Sequence, residues 1–405
     1  MSAHKLRTFS WRWMCLLVAS FAMTTYAADT HYVSLSGTNN SPYTNWPDAT
    51  TNIQWAVNAA TAGDTVLVSN GTYYLTNEIY LNGKMLTIKS VNGRDVTILD
   101  GNGAVRCMNL TGVTSPIIVD GFTMSNGYPS AGNGGGIAVS YASLVMNCRV
   151  CWNKCSGTNS DAGGGASVIP CLYTNTFFNC IFDNNILTNG SGGGMYVNLN
   201  SALGTGALLI SNCVFVSNNA SASGGGIRIV NTEKGISTIR NSFFGFNTSG
   251  GTGGGAAGTY SGTGTQTYEN CTFVSNSSAA WPGGGGVQGS DIRCINCIIY
   301  YNRDTYGIYS NVYPNVICTN SCFAPTNSCA AGSVNNIESD PQFVGKDTGN
   351  FRPSRGSPCV NAGINESWMT GAFDLDGRRR IDRFSGVVDM GCYEYLLQGM
   401  MFSVP

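Results

Sequence analysis

The charged side chains that could do chemistry in this sequence are few, and the densest group of them lies between residues 228 and 234. Asp, Glu, Lys and Arg make up 11% of the 405 residues, against roughly 25% in an average globular chain. Arg228 is followed closely by Glu233 and Lys234. A guanidinium neutralises a bound carboxylate, and a nearby amine or carboxylate can take up a proton. The group is therefore a candidate site for an anionic ligand, and the alternative interpretation is a patch of solvated surface charge.

These residues belong to a repeat that fills the middle of the chain. Each copy carries three marks: a Gly-Gly-Gly, an Asn-Cys pair, which is Asn241-Ser242 in one copy, and a second asparagine five residues after that cysteine or serine. The copies follow at steps of 25 to 33 residues, and a period in the range of about 20–50 residues indicates a solenoid or a similar array. The glycine triplets begin at Gly134, Gly163, Gly192, Gly224, Gly253 and Gly284.

Each copy is predicted to hold three short strands and has no room for a helix of ordinary length. One strand follows the glycines, a second ends at the Asn-Cys pair, and the third is Cys-x-Phe, as in Cys213 and Phe215. Apolar residues alternate in the first and third, which is typical of strands. Three strands in about 30 residues, repeated in register, predict an all-β solenoid, a right-handed parallel β-helix.

Stacking at the strand spacing of about 4.8 Å turns each inward position into a column of like residues. Both asparagines of each copy are expected at bends, because asparagine tolerates a left-handed backbone, with their amides bonded to the backbone and to the next coil's amide. The repeat cysteines are expected to form a column of mostly free, buried thiols beside a column of phenyl rings, and a disulfide between adjacent coils is the alternative. The thiols are Cys148, Cys180, Cys213, Cys271 and Cys297, and the rings are Phe182, Phe215, Phe244 and Phe273.

The start of the chain differs from the repeat. Residues 1–27 have a basic beginning, an apolar run from Trp13 to Met23 and small residues near Ala27. This pattern is that of a secretory signal peptide, and an uncleaved membrane anchor is its alternative. The mature chain is then expected to be secreted or held at a bacterial cell surface.

The remaining residues are divided into a solenoid and its covers. Residues 28–335 are assigned to the β-helix, with a capping helix at about 50–65, and residues 336–405 to a C-terminal capping segment. Caps are expected because the open end of a stacked sheet must be covered. The apolar face of the N-terminal helix is Ile53, Ala56, Val57 and Ala60.

Composition excludes several partners. The formal net charge of the full chain is −1, without the basic surplus of a nucleic-acid binder. No segment after the signal peptide approaches the roughly 20 apolar residues of a membrane helix. We therefore expect no nucleic-acid partner, no transmembrane span in the mature chain, and a monomer.

Several stretches resemble known families. Asn52 to Tyr74, with its Ala-Gly-Asp-Thr-Val and Gly-Thr-Tyr, resembles the opening of pectate-lyase-like parallel β-helix proteins. The middle coils are similar to the Gly-Gly-Ile and Phe-x-x-Asn repeats of polymorphic outer-membrane proteins. The C-terminal stretches at 340–343, 356–363, 374–377 and 389–394 resemble the choice-of-anchor Q group of bacterial β-helix proteins. Together these resemblances imply the fold, and they imply little about function because one fold hosts many functions.

Departures from these families limit what the resemblance implies. Cys359 and Cys392 stand where the choice-of-anchor pattern usually has alanine, and the resemblance implies a disulfide between them. His31 is the one histidine after residue 27, and no Gly-His-Gly with paired aspartates is present. The catalytic machinery of polygalacturonases is therefore absent, as is the aspartate cluster of pectate-lyase calcium sites within the coils.

No metal or other cofactor is expected. A calcium ion is the one low-ranking candidate, because several acidic residues fall close together in the C-terminal segment. Salt bridges to the basic run 378–380 are the preferred explanation of these acids. The residues concerned are Asp374, Asp376 and Asp382.

Parallel β-helix enzymes generally use the groove on one sheet, here assigned to the strands after the glycine triplets. The outward positions of those strands form one column, and the glycines are expected to leave an open surface in front of it. Asn198 lies in the next column. The first column is Ala138, Ser167, Tyr196, Arg228, Ala257, Gln288 and Tyr309.

Two functions fit this surface. A polysaccharide lyase acting on an acidic glycan would use Arg228 to neutralise a uronate carboxylate, with Lys234 or Tyr196 as the base or acid. Tyr309, Gln288, Asn198 and Glu233 would then contact the sugar. The alternative is a non-catalytic, adhesin-like cell-surface protein, which the low charge and the variable loops fit equally well.

Overall fold

The computed structural model describes residues 28–112, 116–130, 132–157, 162–169, 174–200, 206–259, 264–280, 283–307 and 310–395. Over these residues four parallel sheets run along the stack of coils. This arrangement confirms the predicted parallel β-helix. The predicted signal peptide and Tyr309 lie outside the described residues.

Two of the sheets are the longest. Sheet A has eleven strands and sheet B has ten, and both are parallel in the described part of the chain. Sheet A consists of Thr30–Val33, Thr65–Val68, Thr87–Ser90, Ile117–Asp120, Ser143–Met146, Thr174–Phe178, Ala207–Ser211, Ile236–Arg240, Thr265–Glu269, Ile292–Ile295 and Ile317–Thr319. Sheet B consists of Gly71–Tyr74, Thr97–Asp100, Thr123–Ser125, Arg149–Cys151, Ile181–Asp183, Val214–Val216, Phe243–Gly245, Thr272–Val274, Ile298–Tyr300 and Cys322–Phe323.

The strands that follow the glycine triplets form sheet C, and a short fourth strand in five coils, not predicted from the sequence, forms sheet D. A central coil therefore runs from sheet C to A, B and D before it returns to C. Sheet C consists of Ile79–Tyr80, Met108–Leu110, Ile137–Val139, Ala166–Val168, Met195–Asn198, Ile227–Val230, Ala256–Ala257 and Val287–Gln288. Sheet D consists of Lys154–Cys155, Ile186–Leu187, Asn219–Ala220, Thr248–Ser249 and Ser277–Ser278.

The N-terminal helix is Ile53–Ala59. Asn52 begins it, because the side chain of Asn52 accepts hydrogen bonds from the N–H groups of Gln54 and Trp55. Ile53, Ala56 and Val57 are buried, which confirms the predicted apolar face. Three single-turn 3₁₀ helices lie near the other end of the chain, at Thr326–Ser328, Lys346–Thr348 and Ser367–Met369.

Columns of like residues make the core. The rings of Phe182, Phe215, Phe244 and Phe273 stack with centroids 4.7, 4.7 and 4.5 Å apart, at the spacing of the coils. Each buried ring contributes about 1.5–3 kcal/mol of apolar burial, with a further gain from ring stacking. The described cysteines, from Cys107 to Cys392, are all free, which confirms a column of thiols rather than disulfides between coils.

The proposed disulfide between Cys359 and Cys392 is wrong. Cys392 packs with Phe243, Val274 and Phe351, whereas Cys359 packs in a separate cluster with Cys322. The two thiols are therefore held by different parts of the core, and both are free.

A second column, of buried asparagines, carries the turn after sheet B. In each central coil the main-chain N–H and the side-chain amide both donate to the next asparagine's Oδ1; for Asn218 and Asn247 the distances are 3.0 and 2.9 Å. Asn218 also donates to the carbonyl of Phe182, at 2.8 Å. The predicted role of these asparagines is confirmed. The column is Asn153, Asn185, Asn218, Asn247, Asn276 and Asn302.

Two left-handed corners flank sheet B. The first, here called the Asn corner, lies between sheets A and B and holds only asparagine in seven consecutive coils: Asn147, Asn179, Asn212, Asn241, Asn270, Asn296 and Asn320. The second, here called the mixed corner, follows sheet B and holds Asn126, Trp152, Asn184, Ser217, Phe246, Ser275 and Tyr301. All fourteen have φ between 47° and 58°. Asparagine is one of the few side chains that visits this conformation readily.

The C-terminal segment lies along the outer face of sheet B and is anchored at the Asn corner. The side-chain amides of Asn241 and Asn270 donate to the carbonyls of Phe373 and Asp389, both at 2.9 Å. An antiparallel hairpin, Phe343–Gly345 with Asn350–Pro353, belongs to this segment. The segment therefore covers the side of the solenoid along several coils.

Candidate functional site

The predicted column on sheet C is in register. Tyr196 pairs with Ser167 on one side and with Arg228 on the other, and Ala257 pairs with Arg228 and Gln288. Asn198 pairs with Val230 in the neighbouring column. The structure thus places the predicted residues on successive coils, as the repeat indicated.

The surface in front of this column is not open. Tyr196 is 1% exposed and Gln288 is 2% exposed, so the expectation of an open surface is wrong at these positions. Part of the reason is the glycine triplet itself, which turns back against the column. A Cβ at Gly224 would lie 2.8 Å from the Cβ of Arg228. The glycines are required for this close packing rather than for a clear surface.

Arg228 and the turn beyond it are the accessible part of the predicted site. Arg228 is half-buried, and its guanidinium donates to the carbonyl of Gly258 on the next coil. Glu233 and Lys234 are exposed on the turn 231–235. Asn231 braces that turn, because its amide donates to the Gly235 carbonyl at 2.7 Å. Charge therefore stands at the end of the sheet C strand and not along its face.

Asn198 has a structural partner of its own. Its side-chain oxygen accepts a hydrogen bond from the N–H of Asn200, at 3.0 Å. The Asn200 side chain in turn accepts from the N–H of Thr232, at 2.7 Å. The loop after Asn198 is thereby tied to the turn that carries Glu233 and Lys234.

A carboxylate that the sequence did not single out completes this region. Asp291 Oδ2 accepts from Thr259 Oγ1 at 3.0 Å and from Gln266 Nε2 at 2.8 Å. The same Thr259 hydroxyl, which has a single proton to donate, also lies 3.2 Å from the carbonyl oxygen of Asn231. Three consecutive coils therefore meet here. We call Arg228, Glu233, Lys234, Thr259, Gln266 and Asp291 the Arg228 site.

The Asp291 carboxylate is held in an unusual state. Burial raises its pKa above the ordinary value, and the hydrogen bonds from Thr259 and Gln266 and the charge of Arg228 offset only part of that shift. Its Oδ1 is buried and has no hydrogen-bond partner among the described residues. A Cβ at Gly258 would lie 2.7 Å from this oxygen. Perturbed carboxylates of this kind are common at functional sites, and they also occur in structural networks.

Sequence reasoning missed Asp291 for an identifiable reason. The residue lies between sheets C and A, outside the three marks of the repeat, and its partners come from a different coil. The signal that was available is a single acid, following Gly289 and Ser290, in a turn with no other charge.

A metal has no ready place in the described part of the chain. No group of three or more His, Cys, Asp or Glu there is arranged to hold an ion. Asp376 pairs with Arg352 at 2.5 Å and with Arg378 at 3.8 Å. Asp374 accepts the backbone N–H groups of Asp376 and Arg378. The salt-bridge interpretation is therefore supported for Asp376, whose closer partner Arg352 lies outside the basic run 378–380. Asp374 and Asp382 are held by backbone N–H groups instead.

Comparison with known proteins gives the fold. No protein-family model and no curated sequence matches the chain. A solved structure titled pectate lyase Pel9A superposes with a TM-score of 0.58 at 17% identity, covering 91% of this chain and 98% of that one. A rhamnogalacturonan lyase matches with a TM-score of 0.44 at 15% identity, over 84% of this chain and 97% of its own.

The chain has a pectate-lyase-like fold. At this identity the likeness concerns the architecture alone, and function has to be argued from the site. The similarity to the choice-of-anchor and polymorphic families stays a prediction from the sequence. Among the described helices, none has the length and apolar character needed to cross a membrane.

Proposed function

We propose that this chain is an exported β-helix protein that binds an acidic polysaccharide at the Arg228 site and cleaves it by β-elimination. The observation that carries the proposal is the half-buried Arg228 guanidinium at one end of sheet C, whose charge acts on the Asp291 carboxylate of raised pKa and whose strand leads into the turn that carries the exposed Lys234. Export rests on the sequence of residues 1–27 alone.

Each residue has a role that the chemistry defines. Elimination removes the proton next to a uronate carboxylate, breaks the bond to the glycosidic oxygen two carbons away and leaves a carbon–carbon double bond. Arg228 neutralises the carboxylate, which makes the adjacent proton acidic. Lys234 is the exposed base that takes the proton, and the leaving oxygen is protonated by an acid. Burial of Tyr196 opposes its use as that acid.

Sugar contacts around the Arg228 site follow from the same arrangement. Glu233 stands beside Lys234 on the exposed turn, and Asn198 is half-buried at the neighbouring loop. In this proposal both bond sugar hydroxyls next to a carboxylate held by Arg228. Roles for Gln288 and Tyr309 remain predictions from the sequence.

A second candidate function has an observation of its own. The buried column on sheet C leaves no long exposed groove among residues 138, 167, 196, 257 and 288. A non-catalytic, adhesin-like protein needs a binding turn but no groove for a chain to pass through. Burial of the column therefore favours binding without cleavage.

The assay that separates the two functions follows absorbance near 235 nm, where the unsaturated product of elimination absorbs. Purified protein is mixed with polygalacturonate, alginate and a neutral glucan. A lyase raises the absorbance with an acidic polymer, and Arg228→Gln lowers that rate by about 100-fold or more, the size expected for loss of one charge-stabilising group. Arg228→Lys should restore part of the rate.

The control is Lys89→Gln, which removes an exposed amine from sheet A and should leave the rate unchanged. Binding to an acidic polymer with no rise in absorbance would favour the non-catalytic function. An unchanged rate in both Arg228→Gln and Lys234→Gln would remove the Arg228 site from the mechanism.

A further inference from the structure

A cleft on the opposite side of the solenoid lies between the mixed corner and the C-terminal hairpin. Its volume is about 320 Å³, at the lower end of the range of about 300–1,000 Å³ typical of small-ligand sites. The coils contribute its floor and the hairpin contributes one wall. The lining residues are Ser275, Asn276, Ser277, Tyr301, Arg303, Lys346, Asp347 and Phe351.

The lining carries a surplus of positive charge. Arg303 and Lys346 are both exposed and face one acid, Asp347, so two positive charges less one negative charge leave +1. The Lys346 amine stands 4.9 Å from the centroid of the Tyr301 ring. Asp340 lies outside the lining, where it accepts from the Tyr301 hydroxyl and from the N–H of Gln342, and these neutral donors leave its negative charge in place. The lining residues themselves, with Arg303 and Lys346, favour an anion over a cation.

Aromatic rings border the same cleft. Phe351 is buried, with its ring centroid 5.7 Å from that of Phe246 and 5.4 Å from that of Phe343. Phe246 is 43% exposed. A flat apolar ring next to cations and hydroxyls is the combination that binds the face of a charged sugar.

The left-handed backbone of the mixed corner supports a ligand site independently of the shape of the cleft. Phe246, Ser275 and Tyr301 occupy three consecutive positions of the mixed corner, and the two aromatic residues have φ of 57° and 58°. This conformation costs an ordinary residue roughly 1–2 kcal/mol. The Asn corner shows that asparagine serves the same geometry in seven consecutive coils. Strained residues that persist are concentrated at functional sites.

We propose that this cleft is a second binding site, for one or two residues of an anionic saccharide. Arg303 and Lys346 bind the acid group, Tyr301 packs against the sugar face next to Phe351, and the hydroxyls of Ser275 and Ser277 bond sugar hydroxyls. The acid group is a carboxylate or a sulfate, and both satisfy the same cations. The site stands apart from the Arg228 site, so it does not depend on the proposed cleavage.

The test is calorimetric titration of the full mature chain with three probes of equal length: a polygalacturonate oligosaccharide, a sulfated galactan oligosaccharide and a neutral galactan oligosaccharide. We expect binding of one or both acidic probes and at least 10-fold weaker binding of the neutral one. The acidic probe that binds more tightly identifies the acid group.

Variants place the binding on the cleft. Arg303→Gln combined with Lys346→Gln should weaken acidic binding at least 10-fold, whereas the matched pair Lys89→Gln with Arg293→Gln, on sheet A, should not change it. Tyr301→Asn should weaken binding several-fold. Asparagine accepts the corner geometry, and the melting temperature of this variant measures what the lost contacts of the ring with Lys346 and Phe343 contribute to the fold.

Three results would overturn the proposal: equal affinity for the neutral probe, no binding of either acidic probe, or affinity within twofold of the parent for the Arg303/Lys346 double variant. If Arg228→Gln abolishes binding and the double variant does not, the saccharide binds at the Arg228 site. That outcome removes the second site and leaves the proposed function standing.

Discussion

The two left-handed corners beside sheet B have the same backbone conformation, but they differ in the side chains that they accept. The Asn corner uses asparagine in seven consecutive coils, whereas the mixed corner accepts Trp152, Phe246 and Tyr301. At the Asn corner the side chains are needed by the protein itself, since Asn241 and Asn270 hold the C-terminal segment. At the mixed corner the buried asparagine column already supplies the inward hydrogen bonds. The outward residue there is free to vary, and we assign the aromatic residues Phe246 and Tyr301, which lie at or beside the cleft, to ligand binding.

The largest effect on stability is expected when an aromatic residue replaces an asparagine of the Asn corner. Asn241→Phe puts a bulky ring into a left-handed position and removes two contacts, to the Phe373 carbonyl at 2.9 Å and from Arg380 at 3.3 Å. The expected loss in the free energy of unfolding is about 3 kcal/mol. Chemical denaturation measures it. Ser217→Phe, on an exposed position of the mixed corner, is the control and should change stability by about 1 kcal/mol or less.

If both substitutions lower the free energy of unfolding by the same amount, the two corners do not differ in the side chains that they require. The loss of stability should also be local. Hydrogen exchange should become faster in residues 370–395 of the Asn241→Phe variant and should not change there in Ser217→Phe.

The attachment of the C-terminal segment should depend on pH. Arg380 is fully buried and pairs with Glu394 at 3.1 Å, yet burial raises the pKa of Glu394 to about 8, and it also raises the pKa values of Asp374 and Asp389. Between pH 4.5 and pH 8 the folded chain therefore keeps a proton on Glu394 that the unfolded chain has lost. Stability should fall as the pH rises through this window, by up to about 1.4 kcal/mol per pH unit.

Thermal unfolding at pH 5, 6, 7 and 8 measures this slope. Glu394→Gln should flatten it, because glutamine has no proton to lose. A melting temperature that rises from pH 5 to pH 8 would contradict the assigned direction.

The smallest expected effect is a gain in the free energy of unfolding. Trp152 is 59% exposed at the mixed corner, so Trp152→Asn should relieve the left-handed strain and raise the free energy of unfolding by about 1 kcal/mol. Asn184→Ala, one coil further on, should cost a similar amount. A loss of stability in Trp152→Asn would show that packing holds the ring in place and that the mixed corner needs no functional explanation.

Much of the architecture could be predicted from the sequence, because each buried column corresponds to a fixed position of the repeat. Cys213, Phe215 and Asn218 recur at fixed offsets, and each occupies the buried column that those offsets predicted. Burial of Tyr196 could not be predicted in this way, since it depends on how a glycine turn folds back on its own strand. Asp291 and the C-terminal cleft depend on contacts between segments far apart in the chain, which no period records.

The mixed corner shows the same limit. Asparagine indicates a left-handed bend because it tolerates that backbone conformation, and the bends of the Asn corner were predicted on that basis. Phe246 and Tyr301 carry no such signal, because aromatic residues are typical of strands. Their placement became meaningful only once φ was known.

Hydrogen exchange of the full mature chain, with and without a saturating acidic oligosaccharide of the type that binds in the titration, tests whether the mixed corner binds ligand. We predict slower exchange in residues 275–303 and 343–353, around the cleft, and unchanged exchange at the Asn corner between residues 147 and 241. Unchanged exchange around the cleft, with protection confined to other parts of the solenoid, would contradict the assignment of the mixed corner to ligand binding.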